Sequence, residues 1–250
     1  ETKMRSGDTV SIPTEEGFGT LKLSKLDQTS QQAWLRVGNA RAHLLKEHLT
    51  LHPNAPLNTT VLEEAIADVI ADQCRQDRSY RAVDDLLNRT PPRLTTGPAE
   101  FASHAEPVST TITAVHAMDE TVLPIQGPPG TGKTYVTARA ILSLIEAGYR
   151  VGVTSNSHEA IRNVLLGCER AIQEDGLTFP VDLIHKVSGT GGYPDDSAVR
   201  TTTKNDVAAT GEQIVGGTAF FFARDENIQA FDWLFVDEAG QVGLANMVGI

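Results

Sequence analysis

Gln126-Gly-Pro-Pro-Gly-Thr-Gly-Lys-Thr134 is the stretch from which the rest of this chain is read. It fits the pattern G-x-x-x-x-G-K-[ST] and stands between an apolar run, residues 121–126, and a helical pattern that opens at Lys133. Phosphate binding needs that context. Gly127, Gly130 and Gly132, with Pro128, Pro129 and Thr131 between them, let backbone N–H groups close around phosphate oxygens at a helix start. Lys133 brings positive charge to the terminal phosphates and the Thr134 hydroxyl is a ligand for Mg²⁺, so the expected cofactors are ATP and Mg²⁺.

A second element completes such a site. Phe235-Val236-Asp237-Glu238 ends another apolar run, and acids at the C-terminal edge of a strand face a ligand held across the sheet crest. Asp237 is expected to hold the Mg²⁺ through water and Glu238 to orient and polarise the attacking water. Lys133 and Asp237 are 104 positions apart, wider than a compact AAA module uses, which leaves room for two further strand–helix units.

Working outward, apolar strands are expected at 121–126, 150–154, 181–187, 213–217 and 232–237, each followed by a helical or polar segment. This alternation predicts an α/β fold with a mostly parallel sheet, a RecA-like P-loop domain over residues 107–250. The polar, Gly-rich insert at 188–203 is expected to be a mobile loop. Residues 1–57 alternate with period two around 8–12, 20–24 and 33–37, broken by Glu16-Gly17, Gly19 and residues 27–30, and predict a small antiparallel β module. Residues 53–60 read as a connector. Residues 58–106 then carry stalk or connector helices: one starts at a capping box of Thr60 and Glu63 and buries Leu62, Ala65, Ile66, Val69 and Ile70, and a second spans about 79–89 before Pro91-Pro92. An irregular stretch with Gly97-Pro98 follows.

Composition bounds the reading. The chain is 40% hydrophobic and 21% charged, ordinary for a globular protein, and no run approaches the ~18 apolar residues of a membrane span. No secretion signal is visible and the two cysteines, Cys74 and Cys168, show no zinc spacing, so the cytoplasm is the default compartment. The opening Glu1 suggests a piece of a longer protein. A net charge of −11 argues against a bulk electrostatic grip on nucleic acid, so any such contact must be local. His43, His48 and His52 lack a Cys or acid to complete a tetrahedral metal set, and no nuclease carboxylate–lysine cluster is visible.

Motif by motif, Gln126–Thr134, Val153-Thr-Ser-Asn-Ser-His158 and Val236-Asp-Glu-Ala-Gly-Gln241 resemble motifs I, Ia and II of superfamily 1B helicases, over residues 108–250. Within that group, Gly216-Gly-Thr-Ala219, Phe235-Val-Asp-Glu-Ala-Gly-Gln241 and the helix segment Tyr80 to Leu94 are similar to bacterial relatives of the RNA-surveillance and Okazaki-processing helicases. Those relatives are often fused behind a RecB-like nuclease. The resemblance implies a nucleic-acid-dependent ATPase that moves on single-stranded DNA or RNA, with Lys133, Glu238 and Gln241 in catalysis. It also implies a second RecA-like domain C-terminal to the chain and a possible RecB-like nuclease N-terminal to it, with no membrane partner.

Ser155, Asn156 and His158 stand at a strand end leading into a helix, where hydroxyl, amide and helix-start N–H groups suit a phosphate backbone; the alternative is that Ser and Asn only cap that helix. Thr218 resembles a later strand-contacting motif. One departure concerns the adenine-reading Gln expected about fifteen residues before the P-loop, where Thr111 stands instead, leaving base selectivity open. The other is that the chain ends at Ile250, before motif III and the second domain's arginines. The β module resembles the small barrel and stalk of these helicases. Its Lys22, Lys25, Arg36 and Trp34 suit a strand contact, although a Trp among alternating polar residues is more often core. The acidic balance supports a rival, a P-loop ATPase that remodels proteins without nucleic acid; a third option is a pure binding module built on the β segment.

Overall fold

The computed structural model describes residues 4–14, 17–53, 58–95, 106–189, 192–206 and 211–250. Glu16 of the Glu16-Gly17 turn, residues 54–57 of the connector and the Gly97-Pro98 stretch lie outside the described residues. The chain divides into two compact units, Glu1–Asn58 and Thr59–Ile250.

The first unit is an antiparallel three-stranded sheet: β1 (Thr9–Thr14), β2 (Gly17–Asp27) and β3 (Gln32–Arg36), in that order. Period-two alternation turns Val10, Ile12, Leu21 and Leu23 onto one face, where they are almost fully buried. Leu35 packs on that core, so its neighbour Trp34 must point the other way. Trp34 is accordingly 42% exposed, with the Lys25 ammonium 4.6 Å from its ring centre; the preferred core reading of this residue is overturned.

The second unit opens with α1 (Thr60–Arg75) and α2 (Arg81–Asn88). The expected capping box is displaced by one residue: Thr59 is the N-cap, and its hydroxyl donates to Glu63. Leu62 and Val69 are buried and Ala65 and Ile66 half-buried, but Ile70 is 57% exposed because it lies a further 100° around the helix than Val69. After α3 (Pro107–Ala117) and α4 (Lys133–Glu146) come β4 (Val151–Thr154), α5 (His158–Glu174), β5 (Leu183–Lys186), β6 (Arg200–Thr202), β7 (Ile214–Gly216), α6 (Ala219–Phe222), β8 (Trp233–Val236) and α7 (Leu244–Val248). The sheet order is β6-β5-β7-β4-β8 and every pairing is parallel, a RecA-like P-loop α/β arrangement. The central strands read as continuous apolar runs because both faces are covered. Gly216 is small of necessity, since a Cβ there would stand 2.5 Å from Ile161 Cγ2 of α5.

Two expectations fail in this unit. Residues 121–126 form no strand: Pro124 has no N–H to give a ladder, and Ile125 is 45% exposed. The segment is held by side chains instead. Thr121 donates its hydroxyl to the buried Asp85 at 2.6 Å and accepts from Arg93 N–H, while the Arg93 guanidinium meets Asp85 at 2.6 Å and the Glu120 carbonyl. The insert at 188–203 is also not a free loop. It contains β6, buries Val199, and is tied to α5 where Glu169 accepts from Ser197 Oγ at 3.0 Å and from Ala198 N–H.

Candidate functional site

The Gly-rich loop turns into α4 through Gly130 and Gly132, whose φ values of +80° and +84° are left-handed. Gly127 closes its other side, where a Cβ would lie 2.7 Å from Thr131 Oγ1. Thr131 donates its hydroxyl to the Pro128 carbonyl at 2.8 Å, and Lys133 Nζ donates to the carbonyls of Gly127 at 2.7 Å and Pro128 at 3.1 Å. Lys133 is in no ion pair among the described residues. The start of α4 has no side-chain cap and no acid in its first turn. Its first N–H groups are therefore uncommitted to the helix, and Lys133 is the charged residue of that turn. Loop glycines, a lysine resting on neutral carbonyls and an uncapped helix start together fit a bound phosphate chain.

The methyl of Thr134 faces α5, where a Cβ on Gly167 would come within 3.1 Å of it. That contact fixes the first turn of α4 against α5. On the opposite side of β4, β8 delivers the acids. Asp237 N–H donates to the Thr154 carbonyl at 2.9 Å, prolonging the β4–β8 ladder by one residue. Glu238 then takes φ +51°, unusual for a residue with a Cβ, and leads into one 3₁₀ turn, Ala239–Gln241. Asp237 is half-buried; Glu238 and Gln241 are exposed.

Register brings the remaining expected residues to one edge. Val153 pairs with both Gly216 and Phe235, and Gly217 N–H donates to the Val153 carbonyl at 2.9 Å. Thr218, residues 155–158 and residues 237–241 therefore leave three neighbouring strands, β7, β4 and β8, at their C-terminal ends. The capping role considered for Ser155 and Asn156 falls to Ser157, whose hydroxyl accepts from Ala160 N–H at 3.1 Å. Asn156 is exposed. Ser155 is buried, and its hydroxyl has no partner among the described residues. Thr111 sits half-buried on α3.

Sequence reading missed a polar chain beneath this edge. His158 Nδ1 lies 3.0 Å from His185 Nε2, and His185 Nδ1 lies 2.8 Å from the hydroxyl of Tyr193 in the insert. His185 is 1% exposed; burial, and then His158, push it down to about 4. His158 is also lowered, by burial and then by Lys186. Burial raises the Tyr193 phenol. At the end of β5, Lys186 is lowered by burial and by the neighbouring Arg224; neither cation is in an ion pair among the described residues. The available signal was a histidine directly after Leu183 and Ile184 in a stretch that reads as a buried strand. By contrast, Cys168 is an inert core thiol, pushed up to about 12 by complete burial.

Residues 109–250 match the family described as an AAA domain. Over 133 residues, half of this chain, the sequence is 30% identical to the DNA replication ATP-dependent helicase/nuclease DNA2 of Saccharomyces cerevisiae. The match covers 8% of that protein, so the chain spans only a small part of its relative's length. These matches and the fold describe a helicase-like P-loop domain of the nucleotide-binding kind. No helix among the described residues is long and apolar enough to cross a membrane.

Proposed function

The chain belongs to the AAA-domain family, and from that premise we infer that its second unit is the ATP-binding half of a superfamily 1 motor that hydrolyses ATP on single-stranded nucleic acid. One observation carries the reading: β7, β4 and β8 end in register, so that a polar edge built from Thr218, residues 155–158 and residues 237–241 leaves a single rim of the sheet. Acids for hydrolysis and groups suited to a phosphodiester backbone share that rim, which is what coupling the two requires.

Lys133 gives up two neutral carbonyls for anionic phosphate oxygens, and the free N–H groups at the start of α4 complete the cradle with Gly127, Pro128, Pro129, Gly130, Thr131 and Gly132. Thr134 and Asp237 would hold Mg²⁺, which would supply positive charge against the terminal phosphates. Glu238 orients water and accepts its proton, and its exposed carboxylate is free to do so. Gln241, one turn on, sits beside that water's approach. Asn156, His158 and Thr218 contact the strand backbone; Ser155 joins them only if the β4 end opens. Thr111 in place of an amide leaves the base weakly read.

On this reading residues 1–57 are an accessory β module, 58–106 the stalk, and 107–250 the first of two RecA-like domains, with the second, and its arginines, C-terminal to it. A RecB-like nuclease N-terminal to the module accords with the helicase/nuclease relative. ATPase assays on the full-length protein with and without single-stranded oligonucleotide test the proposal. Stimulation of about 10-fold or more is expected, and an unstimulated enzyme that still responds to a protein partner supports the remodelling alternative, which the −11 net charge favours.

A further inference from the structure

His158, His185 and Tyr193 form a continuous hydrogen-bonded file from the strand rim down to the insert, at 3.0 and 2.8 Å. Each neutral imidazole carries one N–H, so the file has two possible directions. In one, the Tyr193 hydroxyl accepts from His185, His185 accepts from His158, and a bare Nε2 lone pair faces outward at His158. This leaves the phenol proton with no acceptor among the described residues, in a half-buried position where an unmade donor costs about 1–3 kcal/mol. In the other direction Tyr193 O–H donates to His185 Nδ1, His185 Nε2–H donates to His158 Nδ1, and His158 carries its proton on Nε2. Every proton is then used, and the exposed nitrogen of His158 is a donor.

We propose that Tyr193 and His185 are positioning residues that fix the tautomer of His158, so that its Nε2–H is presented to a phosphodiester oxygen of the bound strand. The inference rests on the strand-contacting role given to His158 above. Burial supports it: His185 stays uncharged near neutral pH and cannot supply both neighbours as a cation, and the Tyr193 phenol keeps its proton. The surroundings hold the file in place. The Arg162 guanidinium, from α5, stands 5.6 Å from the centre of the Tyr193 ring; Glu169 on the same helix ties down Ser197 and Ala198; and Lys186 flanks His158. The insert thereby acts on the rim without touching the strand: it sets which way a proton points.

Long-range ¹H–¹⁵N NMR of ¹⁵N-histidine-labelled protein at pH 7.5 reads the tautomer directly, with His158 assigned by its loss in His158→Gln. The wild type alone decides the first half: a pyrrole-type Nε2 and pyridine-type Nδ1 are expected, and the reverse pattern overturns the file's direction. Tyr193→Phe is expected to shift His158 toward the reverse tautomer and to weaken binding of a single-stranded oligothymidylate about fivefold. In the His158→Gln background the same substitution is expected to cost nothing further. An unchanged tautomer in Tyr193→Phe refutes the positioning role. A tautomer shift with undiminished affinity instead refutes the strand contact of His158, and with it that part of the functional reading.

Discussion

Acidification is expected to loosen the sheet through His185 before the carboxylates respond. This imidazole is 1% exposed and its folded-state value is pushed down to about 4, from an ordinary 6.5, mainly by burial. The unfolded chain therefore binds a proton that the folded chain refuses between those values, so the contribution is fully present above pH 6.5 and is lost as pH falls. Worked through the linkage relation, the loss is about 2 kcal/mol at pH 5 and about 3 kcal/mol at pH 4. His158 is shifted in the same direction and adds to it. The two tryptophans allow a clean assay, since Trp34 lies in the first unit and Trp233 on β8. In a Trp34→Phe background, urea unfolding followed at Trp233 should show the midpoint falling between pH 7 and 5. Replacing His185 with Asn should lower stability at pH 7 but remove most of that slope. Equal slopes in the two proteins would refute the assignment.

Lys133→Ala should abolish stabilisation by Mg-ATP in a thermal-shift assay while leaving the unliganded Tm nearly unchanged, because among the described residues Nζ donates to two loop carbonyls alone. Full stabilisation by nucleotide in that variant would remove Lys133 from the site. In the full-length protein, Glu238→Gln should keep nucleotide affinity and slow turnover by about 10² or more, read by single-turnover hydrolysis. Asp85→Ala should cost about 3 kcal/mol in urea unfolding, since it strands the Arg93 guanidinium and the Thr121 hydroxyl together. Because that cluster anchors the approach to the Gly-rich loop, weaker nucleotide binding should accompany it; a loss under ~0.5 kcal/mol would show the cluster to be ornamental. Finally, oligonucleotide affinity should fall only gently with salt, with a logarithmic slope of about −1 to −2 set by Lys186 and Arg224, as a titration from 50 to 200 mM would read.

The parallel sheet was legible because β4, β5, β7 and β8 lie in largely apolar stretches bounded by polar segments, and the turn at 127–132 because Gly130 and Gly132 take left-handed angles that their sequence allows. What escaped reading depended on partners distant in sequence. Residues 121–126 look like a strand by composition, yet a strand needs a ladder, and Pro124 withholds a donor while Arg93 and Asp85 offer side-chain anchorage. The insert looks mobile by its glycines and acids. Its order comes from Glu169 and Arg162 on α5, far from it in the chain, and from His185, which meets Tyr193 only once β5 is folded. Trp34 was misjudged for the opposite reason. Its neighbours alternate correctly, but alternation alone does not say which face is covered, and the burial of Leu21 and Leu23 decided it.

The acidic balance, the strongest objection to a nucleic-acid role, weakens once charges are given positions. Screening at physiological ionic strength confines each charge to about 8 Å, so −11 spread over a whole chain says little about one rim. Several acids already have a cation beside them: Asp85 has Arg93, Glu174 and Asp175 share Arg139, and Asp119 and Glu120 share Arg81. Lys133, Lys186 and Arg224 are in no such pair among the described residues, and burial, then the charge of Arg224, lowers Lys186, a cost that an anion beside it would offset. On the proposed function, these two cations, one at the end of β5 and one just after α6, are where a phosphate of the strand would find local positive charge. Such a chain would bind nucleic acid weakly at large and meet one backbone locally, as the proposed function of a motor that must release its track at every step requires.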